Sequence, residues 1–200
     1  MMDDLGLPNA AADHPHETRG FPMTVGQTLD RAESASSRDH DLSIDIGLLI
    51  LRLAFGLLFA AHGAQKLFGW FGGEGLAANN AGFEQMGFDP GALFGTLAGL
   101  SELTGGLLLA CGAFTPLGAA MVLGTGIVIV DTGFGKGLLG GYEMGLLFAV
   151  VAAAVAFTGP GRLSVDAGRP WARTGPAWGA ISVGLAVVAA VITLVFKAVL

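Results

Sequence analysis

Five stretches of this chain are apolar over close to the length that crosses a bilayer, and no other feature restricts its fold as strongly. They run at about residues 46–68, 92–114, 116–130, 142–158 and 177–199. A helix needs roughly 20 mostly apolar residues to span the hydrocarbon layer. In lipid, a backbone satisfies its own N–H and C=O groups only as a helix or a closed barrel. The last stretch, AWGAISVGLAVVAAVITLVFKAV, carries no charge before Lys197. The third is short and must sit with little tilt. Such continuous runs predict an all-α, polytopic membrane bundle, with the first four stretches as a core and the fifth as a peripheral addition.

Charge supports the same reading. Only 13% of the residues are charged, about half the usual share in a soluble domain. The net charge of −6 is concentrated near the N-terminus, where eight acids and three arginines fall within the first 41 residues. That segment is polar and broken by Pro, Gly and Ser, so it is expected to be a disordered acidic tail. His14 and His16 within it are read as solvated side chains, and no metal site is expected. No basic patch points to nucleic acid. No cleavable signal peptide is expected at the start of the chain: the first hydrophobic helix serves as its own insertion signal. The single cysteine, Cys111, excludes an internal disulfide and a dithiol pair. It is expected to be a small buried residue near a helix end.

The connections set the topology. Pro116 in CGAFTPLG forces a tight turn, so the second and third helices form an antiparallel hairpin. Residues 69–91 read as a long loop whose Trp70, Phe71, Phe83 and Phe88 suit a membrane interface. Residues 131–141, DTGFGKGLLGG, read as a glycine-rich turn. Arg31 and Arg38 precede the first helix, and Arg162, Arg169 and Arg173 lie between the fourth and fifth. An excess of such residues marks the cytoplasmic side. The expected protein is a multi-pass plasma membrane protein with its N-terminus in the cytoplasm and its C-terminus outside. Frequent Gly, 33 of 200 residues, lets helices approach closely in lipid. Gly95, Gly99, Gly105 and Gly106 do this in the second helix, and Gly118, Gly124 and Gly126 in the third.

The first helix carries Arg52, His62, Gln65 and Lys66. At about 100° per residue, His62 falls near 280° and Lys66 near 320° from Arg52, an arc of about 80°. Gln65 lies farther round. One polar stripe therefore faces the bundle. Its expected partners are Glu102 in the second helix, Asp131 at the end of the third, and Tyr142 and Glu143 at the start of the fourth. Arg52 is expected to climb toward Glu102. The set Arg52, His62, Lys66, Glu102, Tyr142 and Glu143 is a candidate cavity for a substrate or proton. Pairing of helices by charge alone accounts for it as well. A lone membrane histidine does not make a haem site.

The residues form a larger pattern: R-x9-HG-x2-K from Arg52 to Lys66, G-x2-E-x2-GG from Gly99 to Gly106, Thr115-Pro116, Tyr142-Glu143, and GPGRLSVDA from Gly159. This pattern resembles the DoxX family of small four-helix membrane proteins over residues 46–168. The chain then divides into a DoxX-like domain at 42–168 and, outside the resemblance, an acidic tail at 1–41 and a linker with an added helix at 169–200. Family members are similar to the small subunit of an archaeal thiosulfate:quinone oxidoreductase, and others are linked to redox-stress complexes. The resemblance also singles out Asp166, whose expected role is to cap a short turn.

Three functions fit these residues. The chain can be a quinone-interacting subunit of a redox complex, in which His62 and Glu143 move protons. Electrons then come from a partner protein, because the sequence has no haem, iron–sulfur, flavin or dithiol motif. It can be a transporter of a small metabolite or of protons, with a homo-oligomer making up for its small size. It can also be a non-catalytic assembly or stress-resistance factor.

Overall fold

The computed structural model describes residues 24–199 of the chain. Six α-helices are present among them: α1 (Val25–Phe68), α2 (Gly75–Gln85), α3 (Gly91–Cys111), α4 (Thr115–Gly133), α5 (Glu143–Thr158) and α6 (Pro176–Val199). The bundle is the unit His40–Leu200. Five helices, α1 from His40 onward and α3 to α6, are long and apolar enough to cross a membrane. They match the five expected stretches.

Glycine permits the tight packing. A methyl group added to Gly63 would sit 2.3 Å from the Leu103 amide nitrogen, and one on Gly56 would sit 2.6 Å from that of Ala110. From the other side, a methyl on Gly106 would meet the Ala60 nitrogen at 2.5 Å. The α1 and α3 backbones are therefore in direct contact along Gly56, Ala60 and Gly63. Such small-residue seams hold membrane helices where apolar burial supplies no drive. Gly105 and Gly118 serve the α3–α4 pair, and Gly126 and Gly145 the α4–α5 pair. The central layer is Phe59, Leu109, Val122, Phe148, Ala152 and Val155. Large side chains such as Ile50, Leu57, Val150 and Val188 are exposed on the outside, where a lipid bilayer covers them.

The hairpin turn follows from Gly112 and Pro116. Gly112 adopts φ 63°, and its N–H donates to the Leu109 carbonyl while that of Ala113 donates to Leu108. This pair of bonds closes α3 in a Schellman turn. Pro116 then stands in the first turn of α4, where its missing N–H costs nothing.

Four expectations need correction. α1 begins at Val25, so residues 25–41 are helical rather than part of a disordered tail. After Gly26 this segment has neither Gly nor Pro and contains Ala32, Glu33 and Ala35, all compatible with a helix. His14 and His16 lie outside the described residues. The 69–91 loop contains α2, an eleven-residue helix packed on α3. Cys111 is exposed, because α3 ends there at the rim of the bundle. Finally, α6 is packed into the bundle against α4 and α5: its Ser182, Ala186 and Ala190 are buried, and Gly124 of α4 lies against the Ala186 backbone.

Candidate functional site

The polar stripe of α1 divides into two clusters at opposite ends of the bundle. At one end, Lys66 forms an ion pair with Glu102. Glu102 is 1% exposed and Lys66 is 28% exposed, so the pair joins a sealed carboxylate to a partly open ammonium. One oxygen of Glu102 takes the lysine. The other, Oε2, is buried with no hydrogen-bond partner among the described residues. His62 is within electrostatic reach of Glu102. Its ring meets Phe148 edge to face at 6.1 Å, and its Nδ1 is 3.1 Å from Gln65 Oε1.

The helix register explains this grouping. The contacts of Gly63 with Gly99 and Leu103, and of Gly56 with Gly106 and Ala110, fix α1 on α3. They put Glu102 level with His62, one turn below Lys66. A cleft of about 200 Å³ opens above the lysine, lined by Gln65, Lys66, Gly73, Glu74, Gly75 and Asn79. Asn79 Nδ2 donates to the Gly95 carbonyl at 2.8 Å, which ties α2 to α3 and forms the cleft wall.

Arg52 belongs to the other end. It is fully buried, and it donates to the carbonyls of Ala110 at 3.2 Å and Leu163 at 2.6 Å. It does not reach Glu102, contrary to expectation. Arg52 stands ten residues before His62, which is about 15 Å along a helix axis, and its side chain runs toward the end of α3. There the segment after α5 folds over the hairpin turn: the N–H groups of Val165 and Asp166 donate to the carbonyls of Cys111 and Gly112. Asp166, 2% exposed, accepts from the Phe114 amide, the Thr115 amide and hydroxyl, and the Trp171 indole. Burial pushes this carboxyl up, but the bonds from Thr115, Phe114 and Trp171 outweigh it and hold the group below the usual carboxylate range. Phe114 carries φ 43°, unusual for a side chain with a Cβ. Its amide bond to Asp166 and its stacking on Trp171 at 6.0 Å hold it there. The role of Asp166 is thus to cap α4 from a distant segment. Asp45 pairs with Arg162 at the same end and accepts from its backbone N–H at 2.8 Å.

Tyr142 and Glu143 are not joined to the lysine cluster. The Tyr142 ring stacks on Phe134 at 5.4 Å, and no hydrogen bond or ion pair among the described residues links either residue to His62, Lys66 or Glu102. Asp131 pairs instead with Lys197 of α6, at 3.6 Å. Sequence reasoning left Gln65 outside the stripe, although its i+3 spacing from His62 is a contact distance on a helix. It named Thr115 only as part of the larger pattern and missed Trp171; the roles of both depend on contacts across the turn. A second cavity, about 420 Å³ and largely apolar, lies between α3, α4 and α6. The Ser101 and Thr125 hydroxyls, bonded to each other at 2.9 Å, are among its few polar groups.

No curated protein and no solved structure matches this chain. The family model for DoxX matches residues 47–134. That segment holds most of the membrane part of α1, all of α2 and α3, and α4, and so includes the Lys66–Glu102 pair and the glycine seam between α1 and α3. This helical chain is an integral membrane protein whose residues 47–134 match the DoxX family.

Proposed function

We propose that the chain is a quinone-interacting subunit of a membrane redox complex and that the Lys66, Glu102 and His62 cluster exchanges protons with the quinone head group. The observation that carries this reading is the buried Glu102 carboxylate, with one oxygen on Lys66 and the other unpartnered. A buried polar atom without a partner is costly, and ionisable groups inside a membrane commonly mark a pathway or site. Lysine has three donors, so Lys66 can hold Glu102 and still donate to a quinone carbonyl. The cleft is smaller than most ligand pockets. It suits a single ring, with an isoprenoid tail left in lipid. Tyr142 and Glu143 have no part in this site. Electrons pass through a partner protein.

The positive-inside rule assigns the end with Arg162, Arg169 and Arg173 to the cytoplasm, so the cleft opens to the outside of a plasma membrane. Transport across the bilayer fits less well, because the buried side chains of Arg52 and Asp166, bonded to the backbone of the hairpin turn and of the segment after α5, close the opposite end. Binding of a short-tailed quinone to the purified protein in lipid nanodiscs tests the proposal. Saturable binding is expected, weakened at least about tenfold in Glu102→Gln. Absence of binding by the folded wild-type protein rejects the quinone role. Uptake of a small metabolite into liposomes holding this chain alone would favour transport.

A further inference from the structure

Gln65 lies between His62 and the strained tip of the loop that follows α1. Its Nε2 donates to the Phe71 carbonyl at 3.2 Å, and its Oε1 is 3.1 Å from His62 Nδ1. The first bond determines the second. A carbonyl oxygen can only accept, so the amide must turn its nitrogen toward Phe71 and its oxygen toward His62. The reverse orientation would set two acceptors against each other. Oε1 then requires a proton on His62 Nδ1.

The loop tip is built to hold this arrangement. Phe71 adopts φ 52° and ψ 33°, a left-handed conformation that costs energy in a residue with a Cβ. The Gly69 N–H donates to the Gln65 carbonyl at 3.1 Å. A methyl on Gly73 would lie 2.5 Å from that same carbonyl oxygen, so only glycine lets the loop close down on Gln65.

We infer that Gln65 is a positioning residue that locks neutral His62 as the Nδ1–H tautomer, with the loop tip at Phe71 holding the amide in place. The lock leaves Nε2 as the only acceptor on the ring. A ligand that hydrogen-bonds His62 must therefore bring a donor, such as the hydroxyl of a hydroquinone. This last step rests on the function proposed above, whereas the tautomer itself does not.

Nitrogen-15 NMR of the full chain, labelled at histidine, without quinone and at about pH 8, above the ordinary histidine range, tests the lock. The His62 signals are those lost in His62→Ala. A protonated Nδ1 and an unprotonated Nε2 are expected. Gln65→Leu should lose this preference, with Nε2–H appearing, whereas Gln65→Glu keeps an acceptor and should retain Nδ1–H. A protonated Nε2 in the wild-type protein overturns the inference whether or not the variants fold, and so does an unchanged tautomer in folded Gln65→Leu. A failed quinone-binding assay alongside the expected spectra would reject the proposed function and leave the tautomer lock standing.

Discussion

Lys66 and Glu102, 36 residues apart in the chain, form an ion pair in which the acid is sealed and the base is partly open. Removing one partner strands the other. For a buried pair that loss is about 3–5 kcal/mol, whereas replacing both by apolar residues is often neutral. Lys66→Met should therefore lower the unfolding midpoint in detergent markedly. The double variant Lys66→Met, Glu102→Leu should recover most of that stability while losing quinone binding. Retention of binding in the double variant would assign the pair to helix pairing alone.

The α1–α3 seam leaves no room for a methyl group at its glycines. Gly63→Ala forces a methyl to 2.3 Å from a backbone nitrogen that cannot move without its helix. Overpacking of this kind costs typically about 1–3 kcal/mol. Gly47 has open space around it, so Gly47→Ala should be neutral or stabilising by up to about 1 kcal/mol. Thermal unfolding of the two variants side by side measures the contrast.

Asp166 gives the Arg52 end of the bundle a pH dependence. Its folded carboxyl is held below its ordinary value by the bonds from Thr115, Phe114 and Trp171. The stabilisation is therefore complete above the unfolded value, near 4, and is lost as the pH falls through the depressed folded value. Asp166→Asn should lower stability at neutral pH by roughly 0.5–2 kcal/mol, the range for a lost helix cap, and should flatten the acid limb of a stability profile. An acid limb identical to that of the wild type would exclude Asp166 as its source.

Gly112 is constrained twice. It adopts a left-handed φ of 63°, and a methyl there would come within 2.2 Å of the Arg52 guanidinium. Gly112→Ala should cost more than the Gly63 change per atom added, because the side chain that would have to yield is itself buried and bonded to Ala110 and Leu163. Expression yield and unfolding midpoint in detergent report the effect, and Arg52→Ala in the same background should relieve part of it.

The sequence by itself determined the five membrane-length helices, but not α2 or the extension of α1 back to Val25. Apolar length decides what crosses a bilayer, Pro116 and Gly112 decide where a hairpin turns, and the 100° step put Arg52, His62 and Lys66 on one face of α1. All of these are local properties of the chain. Only the tertiary structure decided which acid meets which base. Angle around a helix says nothing about depth along it, and the depth of α3 against α1 is set by the contacts of Gly56 and Gly63 with the opposite backbone. That register gives Glu102 to Lys66 and leaves Arg52 to the carbonyls of Ala110 and Leu163. It also separates Tyr142 and Glu143 from the cluster, because α5 enters the bundle by way of Phe134 and the glycine turn rather than beside the cleft. The bonds of Asp166 to Phe114 and Thr115 span about 50 residues, and no periodicity in the sequence encodes a contact of that range.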